Sequence, residues 1–305
     1  MINRMYQAIK TPRCEFVPIR NLKYHVRIWG EPGPDKIPLV MVHGWMDVAA
    51  SYQFVVDAFA RDHYVIAPDW RGYGQTEVPA TDNYWFPDYL ADLDFLLDHY
   101  SPGAAVHLVG HSMGGNVSML YSGVRPERVR RLVNLEGFGM ARTQPSQAAA
   151  RYGKWIDEIK AFHRGEINLM PYASSEDVAK RLMKTNKRLR LDKAQWLAMH
   201  WARPDDQGMW RILGDPAHRI INPKLYRVDE VLEIFKCITA PTLMVEASDE
   251  SMTKWWNGKF TLEEVHERMK SVPHLQRTVV KDAGHMLHHD QPQVLAKLIE
   301  DFLQI

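Results

Sequence analysis

Three side chains in this 305-residue chain could together attack a carbonyl group: Ser112, His285 and Asp249. A serine hydroxyl is a poor nucleophile at neutral pH, so a histidine must take its proton. A carboxylate must then hold the imidazole in the right tautomer and stabilise its charged form. Ser112 lies in Gly110-His111-Ser112-Met113-Gly114-Gly115, where glycines two before and two after leave room for a tight turn that pushes the hydroxyl outward. A bare G-x-S-x-G arises by composition alone with a probability on the order of 5% in a chain this long. Its surroundings therefore decide what it means.

Those surroundings are strands that end where chemistry is needed. Ser112 follows the strand-like run Ala105 to Val109 and precedes a helical pattern from Asn116 to Tyr121, the strand–turn–helix context of a nucleophile elbow. Asp249 follows Thr242 to Val245, and His285 follows Leu275 to Val280, so each stands just past a predicted strand. Ligands of open α/β sheets bind outside the carboxyl ends of the strands. The chain order serine, acid, histidine is also that of hydrolases built on a parallel sheet.

With these residues in place the chain resembles the α/β-hydrolase superfamily over nearly its whole length. His43-Gly44-Trp45-Met46-Asp47 looks like the family's oxyanion loop, and Asp69-Trp70-Arg71-Gly72-Tyr73-Gly74 is similar to its D-x-R-G-x-G turn. His-Gly-Trp with Gly-His-Ser-x-Gly-Gly looks most like the capped serine hydrolase-like group and its bacterial relatives. The resemblance implies a catalytic Ser112, Asp249 and His285, with the backbone N–H groups of Trp45 and Met113 as oxyanion donors. In some relatives a position after the preceding strand supplies the acid, which makes Glu136 the rival of Asp249. The neighbouring Glu250 is read as a solvated loop residue. His43, Asp69 and Arg71 are read as residues that fasten the loops.

The fold class expected is α/β: a mostly parallel eight-stranded sheet with helices on both faces and an inserted helical cap. Strand signals open with a hairpin, Cys14 to Ile19 and Leu22 to Trp29. They recur at Ile37 to Val42, Tyr64 to Ala67, Ala105 to Val109, Arg131 to Leu135, Thr242 to Val245 and Leu275 to Val280, mostly with helical patterns between them. From residue 140 to 238 helical periods dominate, with Ser174 and Asp192 as N-caps. That insertion is read as a lid, and residues 1–139 with 239–305 as the core. Trp155, Trp196, Trp201 and Trp210 are assigned mainly to its packing. At the far end Asp290 is expected to cap the terminal helix, with Pro292 in its first turn.

A net charge of +1 and a pI of 7.8 give no electrostatic reason to expect nucleic acid or an anionic membrane as partner. The insertion carries 18 basic against 12 acidic residues, read as solvated helix faces. Two cysteines, Cys14 and Cys237, are too few for a disulfide framework and are expected to be buried small apolar residues. Residues Met1 to Gln7 lack the apolar core of a signal peptide, and no apolar run is long enough for a membrane helix, so a soluble cytoplasmic protein is expected. His285, His288, His289 and Asp290 have ligand-like spacing, but the sequence shows no second donor cluster, and no metal or other cofactor is expected.

These readings converge on a cofactor-free serine hydrolase that cleaves a carboxylic ester of a small molecule through an acyl-Ser112 intermediate. Carbon–carbon bond hydrolases of the meta-cleavage type are the enzyme alternative. A small-molecule-binding protein on a hydrolase scaffold is the alternative from another class. Epoxide hydrolases and haloalkane dehalogenases share the capped fold but resemble this chain with aspartate at the nucleophile position, so Ser112 argues against both.

Overall fold

The computed structural model describes residues 5–249 and 256–304. An antiparallel hairpin, β1 (Arg13–Ile19) and β2 (Leu22–Trp29), turns at Arg20 and Asn21, with Arg20 at φ 55°. Then come β3 (Leu39–Val42), α1 (Gln53–Ala58), β4 (Val65–Pro68), α2 (Pro87–Tyr100), β5 (Val106–His111), α3 (Met113–Val124) and β6 (Val129–Leu135). The insertion contributes α4 (Ala148–His163), α5 (Ser175–Thr185), α6 (Leu191–Trp201) and the short antiparallel pair β7 (Ala202–Pro204) and β8 (Trp210–Ile212). The chain closes with α7 (Val228–Lys236), β9 (Thr242–Ala247), α8 (Leu262–Met269), β10 (Leu275–Val280), α9 (Leu287–Asp290) and α10 (Pro292–Gln304).

Eight strands form one sheet in the order β1-β2-β4-β3-β5-β6-β9-β10, parallel from β4 to β10 and antiparallel at the β1–β2–β4 edge. Strands β3, β4 and β5 are buried along their whole length, as expected of strands covered on both faces. Two apolar layers flank them. One face packs α2, α3 and α7 through residues such as Leu93, Leu97, Val117 and Phe235, and the other packs α1 and α10 through Val55, Leu295 and Ile299. Helix α7, inside the segment assigned to the insertion, packs on α3, with Gly123 against the Ile234 backbone, so it is a sheet-covering helix.

The insertion has a small core of its own, with Val178, Leu182, Leu197 and Ala198 buried and Trp196, Trp201 and Trp210 packed against them. Trp155 instead bonds Asn83. The insertion is pinned to the D-x-R-G-x-G turn by backbone: Gly74 N–H donates to Leu213 O at 2.9 Å, and Asp215 N–H to Gly72 O at 2.9 Å. The His218 ring lies between Tyr73 and Tyr84, 3.9 and 3.7 Å from their centroids. Burial there pushes its imidazole down to about 3, so the sandwiched ring is neutral.

Several local expectations change on contact with the fold. Ser174 caps α5 by accepting from Asp177 N–H, but α6 starts one residue before Asp192, which lies inside its first turn. Asp290 does not cap α10; its carboxylate accepts from Gly284 N–H and from Asn186 Nδ2, tying the insertion to the loop before α9. Both cysteines are exposed, because Cys14 stands on the outer side of edge strand β1 and Cys237 just past the end of α7.

The glycines of the elbow are required by backbone contact. A Cβ on Gly114 would stand 2.2 Å from Val42 O, and one on Gly110 would stand 2.3 Å from Gly114 O, with carbonyls of the sheet and helix as the obstacles. Substitution of Gly114 by alanine is therefore expected to destabilise the fold by about 1–3 kcal/mol, as overpacking does where neighbours cannot yield. A denaturant midpoint unchanged from the parent would contradict this contact.

Candidate active site

Ser112 occupies the turn between β5 and α3 at φ 51° and ψ −113°, a conformation that a residue with a Cβ adopts only under constraint. Its amide donates to Leu135 O at 2.8 Å, and its carbonyl accepts from Asn116 N–H at 3.0 Å. The first bond reaches the end of β6, the second begins α3. The hydroxyl is thereby held at the carboxyl edge of the sheet, 2.9 Å from Nε2 of His285. His285 follows β10, and its carbonyl accepts a 2.8 Å hydrogen bond from Nε2 of His111, the residue before the serine. Because a carbonyl can only accept, His111 carries its proton on Nε2.

The structure brings Ser112 and His285 together but does not bring Asp249 to them. Nδ1 of His285 faces Oε2 of Glu136 at 3.2 Å, and Glu136 is buried, 3% exposed. Asp249 is half exposed, and both its oxygens are engaged by the guanidinium of Arg188, Nη2 to Oδ1 at 3.0 Å. The carboxylate that faces His285 here is therefore Glu136, not the expected Asp249. Physically, β6 and β9 are neighbours in the sheet, so their carboxyl ends stand side by side and either could present a carboxylate to His285. Arg188, from the loop between α5 and α6, holds Asp249 outward. The other candidate, Glu250, lies outside the described residues.

Glu136 is held by its own scaffold. Its backbone sits at φ 57°, its amide donates to Val245 O at 3.1 Å, and Oε1 accepts from Ala247 N–H at 2.6 Å. Asn134, fully buried, brackets the turn: Nδ2 donates to Gly137 O and Oδ1 accepts from Gly137 N–H, both at 2.9 Å. Oε1 being fixed by backbone leaves Oε2 free for the imidazole. Sequence reasoning passed over Asn134 and Arg188; an acidic residue directly after a strand and before glycine, as in Leu135-Glu136-Gly137, was the signal for Glu136.

The loop expected to supply an oxyanion donor lies against the nucleophile. A Cβ on Gly44 would stand 3.1 Å from Cβ of Ser112, and Met46 takes φ 54° to turn the loop. The Trp45 side chain points outward, 48% exposed, while Met113 is the first residue of α3. His43 is buried and fastens the loop, accepting from Trp70 N–H at Nε2, 2.9 Å, while its own carbonyl accepts from the Trp70 indole at 3.0 Å. Burial lowers its pKa, so it acts as a neutral strut. Asp69 accepts from Ala49 N–H, from Gln75 N–H and pairs with His25, and Arg71 makes a bidentate pair with Asp92. These two residues hold loops, as expected.

Comparison with known proteins identifies the family. A family model described as the alpha/beta hydrolase fold matches residues 37–292, and the chain belongs to that family. It is 26% identical over 283 residues to a serine hydrolase-like protein of Danio rerio, covering 91% of this chain and 84% of that one. A shorter match, 36% over 107 residues, is to a 2-hydroxy-6-oxo-2,4-heptadienoate hydrolase of Pseudomonas putida, covering 34% of this chain and 38% of that one. Among solved structures, the thioesterase domain from the curacin biosynthetic pathway superimposes with a TM-score of 0.80 at 20% identity, covering 95% of this chain and 99% of that one, a likeness of fold.

The two carboxylates can be told apart by the reactivity of Ser112. If Glu136 orients His285, Glu136→Gln is expected to slow labelling of Ser112 by a fluorophosphonate about 10⁴-fold, whereas Asp249→Asn should change it less than about threefold. The reverse pattern, read by intact mass over time, would return the role to Asp249.

Proposed function

We propose that this hydrolase-family protein is a serine hydrolase of carboxylic esters of small molecules, working through an acyl-Ser112 intermediate without a cofactor. The observation that carries the proposal is the continuous hydrogen-bonded line Ser112–His285–Glu136, at 2.9 and 3.2 Å. In this reading His285 takes the hydroxyl proton as Ser112 attacks the ester carbonyl, then returns it to the departing alkoxide. Glu136 holds the Nδ1–H tautomer and stabilises the imidazolium without itself becoming protonated. The backbone N–H groups of Trp45 and Met113 receive the oxyanion, each worth about 2.7–4 kcal/mol of transition-state stabilisation in comparable sites. Water, activated by the same histidine, then releases the acid.

The insertion of residues 140–238, without its last helix, serves as the lid. Gly214 stands close to Met46 on the oxyanion loop, and Arg188 reaches Asp249 beside Gly284, so the insertion frames the approach to Ser112. A small-molecule substrate suits an approach bounded in this way, and neither nucleic acid nor a membrane is assigned as a partner. No helix among the described residues is long and apolar enough to cross a membrane.

The match to the Pseudomonas putida hydrolase favours carbon–carbon bond cleavage as a second reading, since such enzymes use the same three residue types. The loop Trp45-Met46-Asp47 has no glycine beyond Gly44, which favours the ester. A series of p-nitrophenyl esters of increasing acyl length tests the assignment. We expect turnover with a pre-steady-state burst of nitrophenol, lost in Ser112→Ala and reduced by orders of magnitude in His285→Ala. Tight ligand binding that survives Ser112→Ala, with no turnover of any ester, would instead establish a binding protein on this scaffold.

A further inference from the structure

Behind the catalytic line lies a second cluster that the proposed reaction does not use. Asp47, from the oxyanion loop, meets His288 and His289 of α9, with one ligand atom from each lying within 4.8 Å of the others. The three residues are 3%, 0% and 4% exposed. Among the described residues, Oδ2 of Asp47, both ring nitrogens of His288 and Nε2 of His289 have no hydrogen-bond partner, and neither does Nδ1 of His111, whose ring centroid is 4.3 Å from that of His288. Buried polar atoms are almost always paired, and each left alone costs about 1–3 kcal/mol. Five in one place mark a site that expects an occupant.

The geometry indicates which occupant. Nε2 of His288 and Oδ2 of Asp47 are 3.6 Å apart, too long for a hydrogen bond. Two ligands bound at about 2.0–2.1 Å to one tetrahedral ion stand roughly 3.3–3.4 Å apart, so this pair needs only a small closure to share a metal. The carboxylate is already aimed. Its Oδ1 accepts from Val48 N–H, the Ser51 hydroxyl and the Trp201 indole, which leaves Oδ2 as the oxygen facing the histidines. Such outer bonds are what orient metal ligands. Two imidazoles and one carboxylate suit zinc and its neighbours in the first transition row better than magnesium or calcium, which prefer oxygen.

We propose that Asp47, His288 and His289 bind one divalent transition-metal ion of the zinc class, with water in the fourth position. His111 carries its proton on Nε2, so its bare Nδ1 is an acceptor, and a metal-bound water would donate to it. The site is structural with respect to Ser112. It fastens the loop bearing Trp45 to the segment bearing His285, from behind. Spacing along the sequence could not show it, because the third ligand comes from the other end of the chain.

The test uses the full-length protein stripped with a chelator, then dialysed against Co²⁺ or Zn²⁺ alone. We expect one ion per chain, the intense visible absorption of four-coordinate cobalt(II), and a raised melting temperature with Zn²⁺. His289→Gln, with His288→Gln as a second variant, should weaken binding by at least 10–100-fold and abolish the cobalt spectrum while each variant remains folded by circular dichroism. Absence of stoichiometric binding by the parent would overturn the proposal in favour of buried water. Equal binding by parent and both variants would overturn it as well, as capture by surface histidines.

Discussion

A single strained backbone turn organises this molecule. Ser112 is held at φ 51° because β5 must end and α3 begin within one residue, and that geometry requires three strands in register. Val42 pairs with Gly110 on one side, and Leu135 pairs with His111 on the other. Gly114 can then lie against the end of β3 and Gly115 against Asn134, contacts that a methyl group would close at 2.2 and 2.4 Å. A turn of this kind stores about 1–3 kcal/mol and persists only where the surroundings over-determine it. Here they do: the same packing that strains the serine also places Gly44 of the oxyanion loop and the Glu136 turn beside it. Ser112, the Gly44 loop and the Glu136 turn are set by one set of close backbone approaches.

The sheet, its eight strands and the chain order of the layers were legible in the sequence, because fully buried parallel strands write continuous apolar runs and the intervening helices write a longer period. The meeting of Ser112 and His285 was legible for a related reason, each standing near glycine at a strand end. The acid was not. Glu136 and Asp249 both follow strands that are neighbours in the sheet, and strand position alone cannot rank two adjacent carboxyl ends. The ranking came from partners distant in sequence: Ala247 N–H fixing one oxygen of Glu136, and Arg188 drawing Asp249 away. Cysteine burial failed similarly, since a small side chain carries no mark of which strand will stand at the edge.

The insertion illustrates a different limit. Its helices could be read from periodicity, and the Ser174 cap from residue type, but the last of them, α7, belongs to the sheet through Val231 and Phe235. An amphipathic helix records that it has an apolar face, not which body that face will meet. What fixes the rest of the insertion is polar and backbone contact at a few points, above all at the turn from Asp69 to Gly74. Tyr73, His218 and Tyr84 stack there, and Gly72 and Gly74 pair with the backbone of Asp215 and Leu213 respectively.

That anchoring bears on chemistry through Asp47. Its carboxylate receives Trp201 from the insertion and Ser51 and Val48 from its own loop, while His43, four residues earlier, is locked to Trp70 on both its ring and its carbonyl. The short segment between them, Gly44 to Met46, is therefore fixed at both ends and forced through a positive φ at Met46. An oxyanion donor is effective to the extent that its dipole is already oriented before charge develops, since no energy is then lost to reorganisation. In the proposed reaction a loop clamped at both ends would supply that condition with backbone alone, while the Trp45 side chain faces outward.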